Sequence, residues 1–449
     1  MGRLFGTDGI RGVANIHPMT AEMALRIGRA IAYVSRQRGH TPRILIGKDT
    51  RLSGYMLENA LVSGICSMGG DALLVGPMTT PGVAFLTVSM RADAGIVISA
   101  SHNPFQDNGI KIFSRNGFKL PDAKENEIEE LINMDDLSSL HVEPHSMGKA
   151  YRIDDARGRY IVFLKKSFPQ DYSLEGMKIV LDCSNGATYR VAPETFFELG
   201  AEVITLFDAP DGKNINKDCG SQQPQVLAHE VVKNRAHVGF AFDGDGDRVI
   251  AVDENGEVLT GDQVIALCAA VMKKQGTLKK NLVVSTVMSN IGLGLSLKTF
   301  GAKTIATRVG DRYVLEEMVA KGASIGGEDS GHIIFLDHHT TGDGIISALQ
   351  VLNAMKYEDK PLSELAKIMK VYPQKLINID VTSKPDLSTI PEIATVIQEV
   401  EKELGKSGRV LVRYSGTQQM CRVMVEGPSE KETESCCRRI ADIITQTIG

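Results

Sequence analysis

With 449 residues, 43% hydrophobic and 23% charged, the chain exceeds one ordinary core and, at roughly 150 residues per domain, divides into about three domains or more. Fifty Lys and Arg against 55 Asp and Glu leave a net charge of −5, which excludes the basic footprint of a nucleic-acid binder but not local arginine sites for anionic substrates. The longest apolar runs, residues 94–100 and 282–287, fall far short of the ~20 needed to span a bilayer; residues 1–9 show no signal peptide, and seven Cys without a CxxC pair read as reduced thiols of a cytoplasmic protein.

One unit recurs three times: an apolar strand, an amphipathic helix, a glycine stop and a second apolar strand. The first copy has strands 43–47 and 72–75 around a helix at 55–68. The second has strands 178–182 and 202–207 around a helix at 189–199, and the third has strands 281–286 and 303–307 around a helix at 291–300. A helix closed by a C′ glycine between two apolar strands is a βαβ unit, so each copy predicts a mostly parallel sheet. The tail differs. Strand 376–381, helix 391–404, strands 409–413 and 421–425 and helix 431–448 predict a smaller α+β domain. Polar seams then give four domains, 1–150, 151–253, 254–368 and 369–449. The fold class is α/β, with three related mixed or parallel α/β sheets and a C-terminal α+β domain.

Open α/β sheets present ligands at the carboxyl ends of their strands, and an unusual loop follows a strand in each repeat. In Ser99-Ala-Ser-His-Asn-Pro104, the proline stops the turn from continuing as a helix and leaves Ser101 at its tip. Lys111 follows as an acid/base or phosphate clamp. Taken alone, this segment reads better as an ordinary Ser/Asn/Pro turn. A serine hydrolase is excluded, because the G-x-S-x-G glycines are missing.

Asp243-Gly-Asp-Gly-Asp-Arg248 lies between two apolar strands. Residues two apart in extended chain share a face, so Asp243, Asp245 and Asp247 converge, and three hard oxygens suit Mg²⁺. A calcium loop has its carboxylate at position twelve (Glu254), but Arg248 stands where that loop needs glycine at position six. A solvated acidic turn leaves three like charges without a cation, so metal binding is preferred. Gly327-Glu-Asp-Ser-Gly-His332 offers alternating acceptors and donors for a polyhydroxylated ligand, and a plain strand-to-turn junction is its equal alternative. Arg413-Tyr-Ser-Gly-Thr417, with Arg422 beyond it, combines arginine, hydroxyls and bare backbone as phosphate sites do, and taken alone a β-hairpin turn with a surface Arg has similar weight. Nucleophile, metal cluster, polyol loop and phosphate loop together are the parts for phosphoryl transfer on a phosphosugar.

With Phe5-Gly-Thr-Asp-Gly-Ile-Arg-Gly12 and Gly47-Lys-Asp-Thr-Arg-Leu-Ser-Gly54 added, these motifs resemble the α-D-phosphohexomutase superfamily over essentially the whole chain, and Val309-Gly-Asp-Arg-Tyr-Val314 resembles its glucosamine branch. The resemblance implies four domains around a central cleft. It implies that Ser101 works as a phosphoserine, interconverting glucosamine 6-phosphate and glucosamine 1-phosphate through bound glucosamine 1,6-bisphosphate, for amino-sugar nucleotide (UDP-N-acetylglucosamine) and cell-wall synthesis. Mg²⁺ would sit on Asp243, Asp245, Asp247 and a phosphoserine oxygen of Ser101. Arg11, His102 and Lys111 would be acid/base and positioning groups, with Arg248 beside the transferring phosphate. Glu328, Ser330 and His332 would bind the sugar, and Arg413, Ser415, Gly416 and Thr417 the resting phosphate. The partner is a phosphosugar, with neither nucleic acid nor membrane, and a homodimer is a family-level expectation. Two departures stand out: Gln418-Gln419 where Glu-Pro is usual, and Asp329 in the sugar loop, where an acidic residue could favour a 2-ammonium group. A phosphomannomutase/phosphoglucomutase of the same mechanism, a silent phosphosugar-binding protein and a metal-dependent phosphatase are the competing readings.

Overall fold

The structure is a computed structural model; it describes residues 4–6, 8–36, 40–134, 142–415 and 419–449. The first sheet uses β1 (Ile10–Val13), β2 (Arg43–Lys48), β3 (Asp71–Pro77), β4 (Ala94–Ile98), β5 (Asp107–Ser114) and β6 (Ala150–Arg152), in the order β1-β5-β4-β2-β3-β6. Helices α1 (Ala21–Ser35), α2 (Ser53–Ser67), α3 (Thr80–Ser89) and α4 (Asp122–Ile132) connect these strands. The β3-β2-β4 centre is parallel, as the βαβ pattern predicts, but β5 returns antiparallel beside β4 and β1 lies antiparallel to β5. That return matters for the site: it sets Lys111 opposite Val97 and Arg11 opposite Gly109, so both lie on strands flanking the Ser101 loop.

Helix α5 (Ala156–Lys165) leads into the second sheet, which has β7 (Lys178–Asp182), α6 (Thr188–Glu198), β8 (Glu202–Leu206), α7 (Gln225–Lys233), β9 (Val238–Phe242), β10 (Val249–Asp253) and β11 (Val258–Leu259). Its order is β11-β10-β9-β7-β8, with β10 turning back antiparallel on β9. The third region has α8 (Gly261–Lys274), β12 (Leu282–Thr286), α9 (Ile291–Thr299), β13 (Lys303–Thr307), α10 (Asp311–Lys321), β14 (Ile325–Gly327), β15 (Ile333–Phe335), α11 (Gly344–Glu358) and α12 (Leu362–Leu365), with sheet order β13-β12-β14-β15. The tail, β16 (Gln374–Asp380), α13 (Pro391–Leu404), β17 (Arg409–Tyr414), β18 (Met420–Glu426) and α14 (Glu430–Ile448), is an antiparallel sheet ordered β16-β18-β17.

The chain forms two compact units. One is Met1–Val287 with Thr304–Lys367, and the other is Met288–Lys303 with Ile368–Gly449. Helix α9, which periodicity places inside the third repeat, is part of the second unit. Its N-cap Asn290 side chain bonds the Tyr372 backbone on both sides, Ser296 Oγ donates to Ile368 O at 2.8 Å, and Ile291 N donates to the buried Glu426. Among the described residues no helix is long and apolar enough to cross a membrane, and all seven Cys are unpaired.

Candidate active site

Three loops of the larger unit leave the carboxyl ends of β4, β9 and β14, and they meet. Ser101 follows β4 with φ +53°, a left-handed conformation that costs a non-glycine residue about 1–2 kcal/mol. Its hydroxyl is almost fully buried and donates to Asp243 Oδ2 at 2.6 Å. The Asp243 loop is the tight turn by which β9 reverses into β10, and it has no room for a side chain at Gly244. A Cβ there would stand 2.6 Å from Ser101 O and 2.8 Å from Asn216 Nδ2. Gly244 therefore lets the two loops touch.

Asp243, Asp245 and Asp247 are buried, and one carboxylate oxygen of each lies within 4.8 Å of the others. Asp245 Oδ2 accepts from Thr80 Oγ1 at 2.6 Å and from Lys111 Nζ at 3.0 Å. Among the described residues, Asp245 Oδ1 and Asp247 Oδ1 are buried without a hydrogen-bond partner. Orphaned carboxylate oxygens in a dry cluster are costly, and an all-oxygen donor set is the kind a hard divalent cation takes. The residues fit such an ion.

The charges around the cluster are arranged in opposition. Burial, with Asp247 and Asp245 adding to it, pushes the Asp243 carboxyl well above the usual range. Burial also opposes ionisation of Asp247, but Lys111, His332 and Arg248 outweigh it and hold that carboxyl well below the usual range. Asp245 is lowered too: burial and Asp247 oppose this, but Lys111 and Thr80 prevail. Lys111 Nζ sits 3.0 Å from Asp245, 3.5 Å from Asp247 and 3.4 Å from Asp8. Burial disfavours its charge, yet the aspartates raise its pKa, so it stays an ammonium. The lowered value that a lysine base would need is not found.

His102 goes the other way. Burial, helped by Arg248 and Arg11, pushes it down to about 4. Its Nδ1 lies 3.2 Å from Ser101 Oγ and 3.2 Å from Arg248 Nη1. A guanidinium can only donate, so Nδ1 is the acceptor and the ring proton of this neutral imidazole is on Nε2.

Arg11 pairs with Asp8, and Lys119 bridges Asp8 at 2.9 Å to Asp311 at 2.6 Å. His332 is buried 3.6 Å from Asp247 and 3.8 Å from Asp311. Burial works against its charge, but Asp247, then Asp311 and Glu328, raise its pKa overall. Glu328 Oε1 accepts from Gly310 N at 2.9 Å, while Ser330 is exposed on the same turn. Asp329 Oδ1 accepts from Asp262 N at 3.2 Å, at the start of α8, a helix-capping contact.

The structure thus brings together Ser101, His102, Lys111, Arg11, the three aspartates, Arg248 and His332, with Glu328 and Ser330 on the adjoining turn. The other unit holds Arg413 and Ser415. Arg413 is directly opposite Arg422 across β17 and β18, and Lys384 Nζ donates to Ser415 O at 2.7 Å. Like charges directly opposite on one sheet face are unfavourable alone, and among the described residues Arg422 Nε is buried without a partner; an anion would relieve both. Gly416, Thr417 and Gln418 lie outside the described residues.

Sequence reasoning gave no role to Asp8, Thr80, Lys119, Asp311, Asn216 or Lys384. Asp8 and Asp311 stand inside motifs quoted for the family resemblance. The others are lone polar residues in ordinary surroundings, and no local pattern marks them.

The four domain profiles described as phosphoglucomutase/phosphomannomutase alpha/beta/alpha domains I, II and III and C-terminal domain match residues 2–138, 158–256, 260–372 and 376–443. The chain belongs to this family of phosphohexomutases. Among its curated relatives, the protein named phosphoglucosamine mutase of Syntrophus aciditrophicus is 70% identical over 449 residues, covering 100% of both chains. That of Syntrophobacter fumaroxidans is 60% identical, with the same coverage. The fold matches a phosphoglucomutase/phosphomannomutase family protein of Burkholderia thailandensis with a TM-score of 0.79 at 22% identity, over 99% of this chain and 97% of that one. It also matches the Aspergillus fumigatus N-acetylphosphoglucosamine mutase, solved with GlcNAc-6P and magnesium, at 0.67 and 16%, over 99% and 95%.

Proposed function

We propose that the chain interconverts glucosamine 6-phosphate and glucosamine 1-phosphate, with Ser101 cycling as a phosphoserine. The observation that carries this is the placement of Ser101 Oγ, 2.6 Å from Asp243 inside a buried triple-aspartate cluster and rimmed by Lys111, His102 and Arg248. A serine so placed can hand over a phosphoryl group beside a cation. The O–P bond at Ser101 breaks as one forms to the sugar hydroxyl, whose proton ends on Ser101 Oγ, giving glucosamine 1,6-bisphosphate. Turned over, the bisphosphate returns its other phosphoryl to Ser101 and leaves as the isomer.

Mg²⁺ on Asp243, Asp245, Asp247 and a Ser101 phosphoryl oxygen would offset the charge of the transferring group. Lys111 enters the reaction as an ammonium and, with Arg248, stabilises the equatorial oxygens by preorganised charge. His102 enters as a neutral acceptor that orients Arg248. Arg11, fixed by Asp8, positions the substrate beside them. Glu328, Ser330 and His332 bind sugar hydroxyls. Arg413, with Ser415, Gly416 and Thr417, binds the phosphate that is not reacting, and Arg422 belongs with them. The reading extends to a cytoplasmic location, where seven unpaired thiols stay reduced, to supply of amino-sugar nucleotide synthesis, and to a homodimer to be checked by sedimentation.

Phosphorus NMR of the full chain with Mg²⁺ tests it, using glucosamine, mannose and glucose 6-phosphates, each primed with its 1,6-bisphosphate, and Ser101→Ala as control. A 1-phosphate signal from the amino sugar alone, absent in the control, is expected. Preference for a neutral hexose would overturn the sugar assignment and keep the mechanism. Free phosphate instead would indicate a phosphatase, and no change in any tube a silent binder.

A further inference from the structure

Two side chains outside the reacting cluster converge on the backbone of the serine loop. Arg51 is wholly buried and spends its guanidinium on main-chain carbonyls: Nη2 donates to Ser101 O at 2.8 Å and to Asn103 O at 2.8 Å, and Nη1 to Asp107 O at 3.1 Å and to Pro104 O. Nε is anchored on Asp49 Oδ2 at 2.7 Å. The same carboxylate oxygen accepts from Ser99 Oγ at 2.6 Å, and Ser99 Oγ accepts from Ser101 N at 2.9 Å. From the second sheet's side, Asn216 Nδ2 donates to the same two oxygens, Ser101 O at 2.8 Å and Asn103 O at 3.0 Å.

Asn216 itself has φ +57°, and its N–H is tied to Ser184 O at 2.9 Å. The same two carbonyls are therefore gripped twice, by an arginine from the β2–α2 loop and by an amide from the β8–α7 loop. The residue gripped is the one whose left-handed φ aims its Oγ at Asp243.

We propose that Arg51 and Asn216 are positioning residues for phosphoryl transfer, a clamp that holds the Ser101 carbonyl so that its strained backbone cannot relax and swing Oγ off the cluster. The inference rests on Ser101 being the group that carries the phosphoryl. Neither residue touches the reacting atoms. Their loss therefore falls on the geometry of the chemical step, where a displacement of an ångström costs on the order of 100-fold, rather than on substrate binding.

The decisive variant is Asn216→Gly, which removes the amide while keeping a residue that accepts positive φ without strain. In the full-length, primed enzyme, kcat should fall roughly 10- to 100-fold while KM stays within about twofold. Hydrogen exchange at the Ser101 and Asn103 amides should speed up by about tenfold or more, with the rest of the molecule unchanged. Arg51→Lys keeps a cation beside Asp49 but loses the fork, and should show the same split together with a lower melting temperature. Wild-type kcat in Asn216→Gly, a loss confined to KM, or unchanged exchange in the loop would overturn the clamp. A wild type without mutase turnover would instead overturn the functional reading, and the exchange measurement would then decide the clamp by itself.

Discussion

Asp343 shows how a buried carboxyl near the site should govern stability. It is the N-cap of α11: Oδ1 accepts from Ile345 N at 3.0 Å and Ile346 N at 3.1 Å, and Oδ2 accepts from Tyr160 Oη at 2.7 Å. Burial raises its pKa from 3.8 to about 7, with Asp247 adding to the rise and the three donors opposing it. In the unfolded chain the group ionises near its ordinary value. Between pH 4 and 7 the folded state therefore holds a proton that the unfolded state has lost, and stability falls as pH rises through that window. The whole shift is worth on the order of 4 kcal/mol, and about 2.5 kcal/mol of it is lost between pH 5 and 8.

Asn at position 343 removes the titration and keeps the contacts. Its oxygen still accepts both helix N–H groups, and its amide can donate to Tyr160 Oη, whose proton turns to Thr79. For a cooperative unit of roughly 350 residues, Met1–Val287 with Thr304–Lys367, unfolding entropy near 0.7 kcal/mol per kelvin converts 2.5 kcal/mol to about 3–4 °C. In EDTA, followed by far-UV circular dichroism because the chain has no Trp, Asp343→Asn should gain that margin over wild type between pH 5 and 8. Parallel curves for the two proteins would show that the carboxyl ionises freely where it lies, and would refute the reasoning.

Two further outcomes follow from packing. Gly244→Ala should keep the fold but lower kcat by roughly tenfold or more, because the new methyl stands 2.6 Å from Ser101 O and 2.8 Å from the Asn216 amide; steady-state kinetics with a thermal melt checks this. Of the seven thiols, six are buried and only Cys66 is partly open, and burial pushes Cys219 up to about 12 and Cys437 up to about 11. A thiol reagent at pH 8 should therefore find at most one fast site in the native protein and seven after denaturation, and a lower denatured count would reveal a disulfide.

The βαβ repeats were legible because apolar runs, helical periodicity and C′ glycines agree with one another; helix α6, for example, is capped by Leu199 and followed by Gly200 at φ +99°. The antiparallel returns were not legible. In residues 107–114 only Lys111 stands out from the sequence, and whether they pair beside β4 depends on the tight turn closed by Asn103 N on Ala100 O. In the site, residues whose spacing encodes convergence could be found, as with the three aspartates two apart. Arg51 could be quoted within a motif but not understood, since its partners lie 50 to 56 residues away. Thr80 meets Asp245 across 165 positions, and Lys119 meets Asp311 across 192. Such pairs exist only once the sheets have stacked.

The stacked site must also survive its own charge. Three buried aspartates would repel if nothing cationic stood among them, and Lys111 takes that part, 97% buried with its ammonium between Asp245 and Asp247. Replacing it by Met keeps the volume and removes the charge. Breaking a buried ion pair by deleting one partner costs about 3–5 kcal/mol, or roughly 4–7 °C for a unit of this size. Lys111→Met should therefore melt that far below wild type in EDTA. A divalent cation restores positive charge at the same oxygens, so saturating Mg²⁺ should raise the variant's midpoint more than the wild type's, by the same linkage that makes any native-state ligand stabilising. If the variant is as stable as wild type without metal, the lysine does not balance the cluster. If Mg²⁺ shifts both proteins equally, the ion and the ammonium answer to different charges.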